Sequence, residues 1–196
     1  DWCEKRGVRL IVDESFVDFS VGWEDNTLLH DNILEQYPSM LVMKSISKSY
    51  GVPGIRLGIL CSADVDIISR IKKMVSIWNL NSFCEFFMQI YTKYEKDYKK
   101  ACDRFIEERN DFEANLRNIP FIRVIPSQAN YFLVEVLAPF TAKTLVLRML
   151  KEHNILMRDC SGKGGFDGKQ YMRIAVRNHE DNTRLIEALR KVGESK

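Results

Sequence analysis

The chain alternates short, nearly unbroken apolar runs with segments in which apolar residues recur every three or four positions. Val8–Val12, closed by Asp13 and Glu14, is the first run; Ser39–Ser47 is the second and Arg56–Ser62 the third. Runs of this length fit strands buried on both faces. Gly7 reads as the stop of a helix whose tail holds Trp2 and Cys3. Asp31–Tyr37 predicts a helix closed by Pro38, and Asp64 caps another that runs to about Val75.

Phe83, Phe87, Ile90, Tyr94, Tyr98, Ala101, Phe105, Phe112 and Leu116 keep helical steps through a Lys- and Glu-rich stretch. They predict a helix of about 34 residues, roughly 50 Å long, bridging two lobes with a break near Arg109–Asn110. After Pro120, FIRVIP, ANYFLVEV, ILMRDC and QYMRIAVR read as strands. Thr141 caps a helix over TAKTLVLRMLKEH, SGKGGFDGK is a glycine-rich loop, and HEDNTRLIEALRKV is a closing helix. The whole is an α/β chain whose second lobe is a small α+β layer.

Composition narrows the partners. Hydrophobic residues make up 45% and charged residues 29%, as in a globular protein with a real core. No stretch nears the ~20 apolar residues of a membrane span, and the first residues lack the layout of a signal peptide. Lys plus Arg is 29 against 27 Asp plus Glu, a balance that argues against a nucleic-acid partner. Cys3, Cys61, Cys84, Cys102 and Cys160 form no C-x-x-C, and His30, His153 and His179 are scattered. Neither a metal site nor a disulfide framework is expected, and free thiols fit a reducing cytoplasm.

Chemistry concentrates in SISKSYGVPGIRLG, residues 45–58. Lys48 follows a strand end among Ser45, Ser47 and Ser49, and Arg56 follows a glycine-containing turn. Serine hydroxyls and an arginine suit a phosphate dianion, and a lysine near another cation suits an amine nucleophile. A polar loop that merely caps a strand fits the same pattern equally well. Asp13, at the end of the first run, needs a partner such as a protonated heterocyclic nitrogen. Capping of the next turn is the commoner reading.

VDESF, SISKSYGVPGIRLG and YMRIAVR, in that order, resemble fold-type I pyridoxal-phosphate enzymes of the class I/II aminotransferases. The resemblance is to the histidinol-phosphate aminotransferase and threonine-phosphate decarboxylase branch, and it covers essentially the whole chain. It implies a partial cofactor-binding large domain over residues 1–80, a long inter-lobe helix over 81–117, and a small α+β domain over 118–196. It implies pyridoxal 5′-phosphate as cofactor, with Lys48 as the catalytic amine that holds it covalently. Asp13 would pair with the ring nitrogen, and Ser45, Ser47 and Arg56 would hold the phosphate. Arg173 would clamp a substrate α-carboxylate and Arg158 a substrate phosphate, with Asn130 facing the same site. Read without the family, both arginines are ordinary surface strand residues.

Phe16 departs from the pattern, because many members carry a tyrosine there and a phenyl ring cannot donate a hydrogen bond to the cofactor. The family's upstream glycine-containing helix start, stacking ring and asparagine have no counterpart, so the chain reads as the C-terminal portion of a larger protein. That would leave Lys48 and Asp13 open to water and the Val8–Val12 and Leu41–Met43 strands short of neighbours. Relatives with the same wording are fused behind a nucleotidyltransferase. The resemblance implies transamination of a small, phosphorylated amino acid or amine. Decarboxylation of such a substrate is the second reading, and a non-catalytic aminotransferase-like domain the third. The implied partners are a small-molecule amino donor or acceptor and a second copy in a cytoplasmic homodimer.

Overall fold

In the computed structural model, which describes residues 1–194, the first apolar run becomes strand β1 (Leu10–Asp13). Ahead of it a 3-10 turn, Glu4–Arg6, stops at Gly7, whose φ of 62° is open to glycine at no steric cost. Helices α1 (Trp23–Asn26) and α2 (Asp31–Gln36) lead to β2 (Met40–Ser45), and the one-turn helix α3 (Ile46–Ser49) follows directly. Then come β3 (Gly58–Cys61), α4 (Val65–Met74) and α5 (Ser82–Arg117). Asp64 does cap α4, accepting from the Ile67 amide at 2.9 Å.

These strands form a sheet in the order β1-β2-β3, with β2 parallel to β1 and antiparallel to β3. The expectation of doubly buried strands holds only in part. Met40, Leu41 and Val42 of β2 are buried, because β2 is central and has a neighbour on each side. It is therefore not short of neighbours, contrary to expectation. β1 is an outer strand, and its Ile11 is 63% exposed.

The long helix is present and unbroken. It runs 36 residues through Arg109–Asn110 with no Gly or Pro along it, so nothing interrupts its hydrogen-bond ladder. Arg109 is buried at 1% exposure and donates to the Gln128 carbonyl (3.0 Å) and side-chain oxygen (3.3 Å). The chain divides into compact units within this helix, between Asp103 and Arg104, rather than at its ends.

The second unit holds β4 (Ile122–Val124), β5 (Tyr131–Val136), α6 (Ala142–His153), β6 (Arg158–Asp159), β7 (Tyr171–Ala175) and α7 (His179–Glu194). Its sheet is antiparallel in the order β4-β5-β7-β6. Alternation along the strands puts Ile122, Val124, Phe132, Val134, Val136, Met172 and Ile174 on one face. Leu145, Met149, Leu185 and Leu189 from α6 and α7, with Phe112 and Leu116 from the end of α5, complete that core. Thr141 and Thr144 form a reciprocal capping box at the start of α6. The opposite sheet face carries Arg123, Glu135, Arg158 and Arg173 together with Tyr131 and Leu133.

Candidate functional site

In the first unit, six of the expected residues meet where β1 and β2 end. Asp13 closes β1 opposite Met43 of β2. Its Oδ1 accepts twice from Ser15, from the amide at 2.9 Å and the hydroxyl at 2.5 Å. Ser15 Oγ in turn accepts from the Ser45 amide at 3.0 Å, which ties the Asp13 loop to the start of α3. Ser15's hydroxyl, then its amide, hold the Asp13 carboxyl below the usual carboxylate range, and the charge of Lys48 adds to this. Among the described residues, nothing bonds Oδ2.

Lys48 lies on α3, exposed, with its ammonium 4.0 Å from the centroid of the Phe16 ring, a cation–π contact. The Ser45 and Ser47 hydroxyls are 3.0 Å apart, and Ser47 is buried. Arg56 is held beside them by register: Ser45 pairs with Gly58, and the Ile46 amide donates to the Leu57 carbonyl at 3.0 Å. Arg56 takes φ 57°, a left-handed conformation a non-glycine residue adopts only when its surroundings impose it. Its guanidinium is exposed and donates to the Pro53 carbonyl at 3.2 Å.

Sequence reasoning missed what lies behind this cluster. Lys44 is buried, and its ammonium donates to Asp18 Oδ1 at 2.5 Å. Tyr98 donates to Asp18 Oδ2 at 2.7 Å, and Tyr50 stacks on Tyr98 with centroids 4.0 Å apart. Burial, with Asp18 beside it, pushes the Tyr98 phenol far up. The available signal was the acid inside the apolar turn Val17–Phe19, which a fold can bury only with a cation at hand. Ser15 was missed because a serine after two acids carries no spacing signal of its own.

In the second unit, Arg158 of β6 and Arg173 of β7 are direct antiparallel partners, both exposed on the helix-free face of the sheet. Directly opposed residues have Cβ atoms ~5 Å apart, so like charges there are unfavourable unless an anion sits between them. The Arg173 guanidinium lies 5.2 Å over the Tyr131 ring. Asn130 immediately precedes β5, and its carbonyl accepts the Val176 amide at 2.9 Å. This is the backbone duty open to any strand-end residue.

The first cluster suits pyridoxal phosphate by its donor set. It holds a carboxylate with one oxygen free for a ring N–H, an amine, an aromatic face, two hydroxyls and an arginine. No group of three or more metal-ligating side chains is found among the described residues, and no helix there is long and apolar enough to cross a membrane.

A family model for aminotransferase class I and II matches residues 1–189. A CMP-5′-(3-aminopropyl)phosphonate synthase from Streptomyces rubellomurinus is 31% identical over 191 residues, covering 94% of this chain and 29% of its own length. An L-serine phosphate decarboxylase from Campylobacter jejuni is 32% identical over 183 residues, covering 92% of this chain and 46% of its own length. Among solved structures, the histidinol-phosphate aminotransferase from Clostridium acetobutylicum gives a TM-score of 0.86 at 26% identity, covering 100% of this chain and 57% of that one. The chain spans less than half the length of both curated relatives.

Proposed function

The chain belongs to the aminotransferase class I and II family, whose cofactor is pyridoxal 5′-phosphate, and we propose that it decarboxylates a small amino acid bearing a phosphate or phosphonate. The observation that carries the substrate class is the opposed pair Arg158 and Arg173. Two guanidinium groups on one sheet face match a molecule with two anionic ends, a carboxylate and a phosphate. The decarboxylase name of the Campylobacter jejuni relative supports loss of the carboxylate, and the phosphonate in the other relative's name supports an anionic far end. Phe16 is in keeping with this, since it offers the cofactor packing without a hydrogen bond.

When bound, the cofactor supplies an electron sink that lets a bond at the substrate's Cα break. The chain's residues prepare that break. Asp13 would hold the ring N–H through its free oxygen, which would keep that nitrogen protonated. Lys48 would provide the amine that carries the cofactor and would serve as a proton donor toward the substrate's Cα. Ser45, Ser47 and Arg56 hold the cofactor phosphate. Arg173 orients the α-carboxylate, and that orientation decides which Cα bond is weakened. Arg158 takes the distal phosphate.

The test is to supply the intact protein and cofactor with O-phosphoserine or O-phosphothreonine and follow carbon dioxide and amine. Release of both in equal amounts is the expected result. A 2-oxo acid formed without carbon dioxide would instead establish transamination, a reading favoured by the likeness to the histidinol-phosphate aminotransferase. No turnover of any phosphorylated amino acid would return the chain to the non-catalytic reading. A homodimer belongs to the same proposal, and the exposed Ile77 and Trp78, each 91% accessible, support it as apolar surface in want of cover. Sedimentation of the intact protein checks it.

A further inference from the structure

Ser15 is buried at 2% exposure between the two ends of the cofactor cluster. Its hydroxyl has a single hydrogen. Because the Ser45 amide is itself a donor, Ser15 Oγ must accept there, at 3.0 Å, and its one hydrogen is committed to Asp13 Oδ1 at 2.5 Å. The polarity of the chain is thereby fixed: Ser45 N–H to Ser15 O–H to Asp13 carboxylate. Bonds in series of this kind polarise one another, and the middle member, Ser15, is buried while the Asp13 carboxylate faces outward.

We infer that Ser15 is a positioning residue for Asp13, fixing one carboxylate oxygen so that the other is presented, ionised, to the N–H of the cofactor ring. This rests on the reading of Asp13 as the ring nitrogen's partner. A turn held only by the Ser15 amide would leave Oδ1 with a single tether. The hydroxyl adds a second tether to the same oxygen and joins it to the backbone that begins the phosphate cradle. The depressed carboxyl of Asp13, caused first by this hydroxyl, agrees with the assignment.

The experiment measures binding to the apoenzyme of pyridoxal phosphate and of its carbon isostere, in which the ring N–H is replaced by C–H. Ser15→Ala is expected to weaken pyridoxal phosphate by about ten- to a hundredfold, the range for a bond to a charged group, and to leave the isostere unchanged. Ser15→Cys, a weaker donor of similar size, is expected to fall between. On an Asp13→Asn background, Ser15→Ala is expected to cost nothing further. Equal loss on both ligands would overturn the inference, showing that the hydroxyl serves the Ser45 amide alone. Unchanged binding of both would overturn it as well. Full pyridoxal-phosphate affinity in Asp13→Asn alone would overturn the placement of Asp13, and the inference with it.

Discussion

Lys44 and Lys48 lie four positions apart and meet opposite surroundings. Alternation along β2 turns Lys44 away from its neighbour Ser45, and the structure shows what it faces, a carboxylate 1% exposed. An ammonium committed to Asp18 is not free to bond a cofactor, whereas that of Lys48 is exposed and lies over an aromatic face. Borohydride treatment of the loaded protein should therefore label Lys48 and no other lysine, with peptide mapping as the check. Lys44→Ala should act through stability instead, by about 3 kcal/mol or more, because it strands a buried charge. Arg173→Ala should lower kcat/KM by roughly a hundredfold while cofactor binding survives. Arg158→Ala should depress turnover of phosphorylated substrates alone, and should change the ligand-free melting by no more than about 0.5 kcal/mol, since it relieves a like-charge contact. Equal loss on unphosphorylated analogues would refute the phosphate role.

Among elements, those legible in the sequence are the ones whose signal is local. Asp64 and Thr141 precede their helices with side chains that can accept from the first turn, and both do so. The alternation of β4, β5 and β7 shows because one face of that sheet is packed and the other is not. β1 misleads, because an apolar run records a tendency to be covered and cannot report how many neighbours a strand has. The break anticipated in α5 fails for a related reason. Arg109 and Asn110 look like a polar interruption, yet Arg109 finds Gln128, distant in sequence, and the helix continues. Thr141→Ala should cost about 1 kcal/mol in denaturant unfolding with an unchanged m-value. Gly193→Ala in α7 tests packing against propensity. Alanine favours a helix by about 1 kcal/mol over glycine, but a Cβ there would lie 2.8 Å from the buried Phe121 ring. The variant should accordingly lose stability.

For the molecule as a whole, the two units differ in what holds them. The second has a continuous core drawn from three strands and three helices, with Leu116, Phe132, Leu145, Met149, Met172 and Leu189 fully enclosed. The first has a small cluster of Ile46, Leu57 and Cys84, a buried strand segment at Met40–Val42, and the ionic Lys44–Asp18 pair. Apolar burial stabilises at about 25 cal/mol per Å2, while a buried ion pair adds little beyond what its desolvation costs. Residues 104–196 should consequently be the more stable unit and should unfold cooperatively when expressed alone. In the intact chain, hydrogen exchange should be slowest at β5 and β7 and fastest, among the strands, at β1. Pyridoxal phosphate then becomes a probe of where the site lies. Asp13, Phe16, Ser45, Ser47, Lys48 and Arg56 all belong to the first unit, and a ligand that binds only the folded form stabilises by about 2.7 kcal/mol at a hundred times its Kd. Cofactor should therefore raise the protection of β1, β2 and α3 and leave that of β5 and β7 unchanged when each unit opens by itself. Protection gained at β5 and β7 but not at β2 would place the cofactor on the other unit and refute the site.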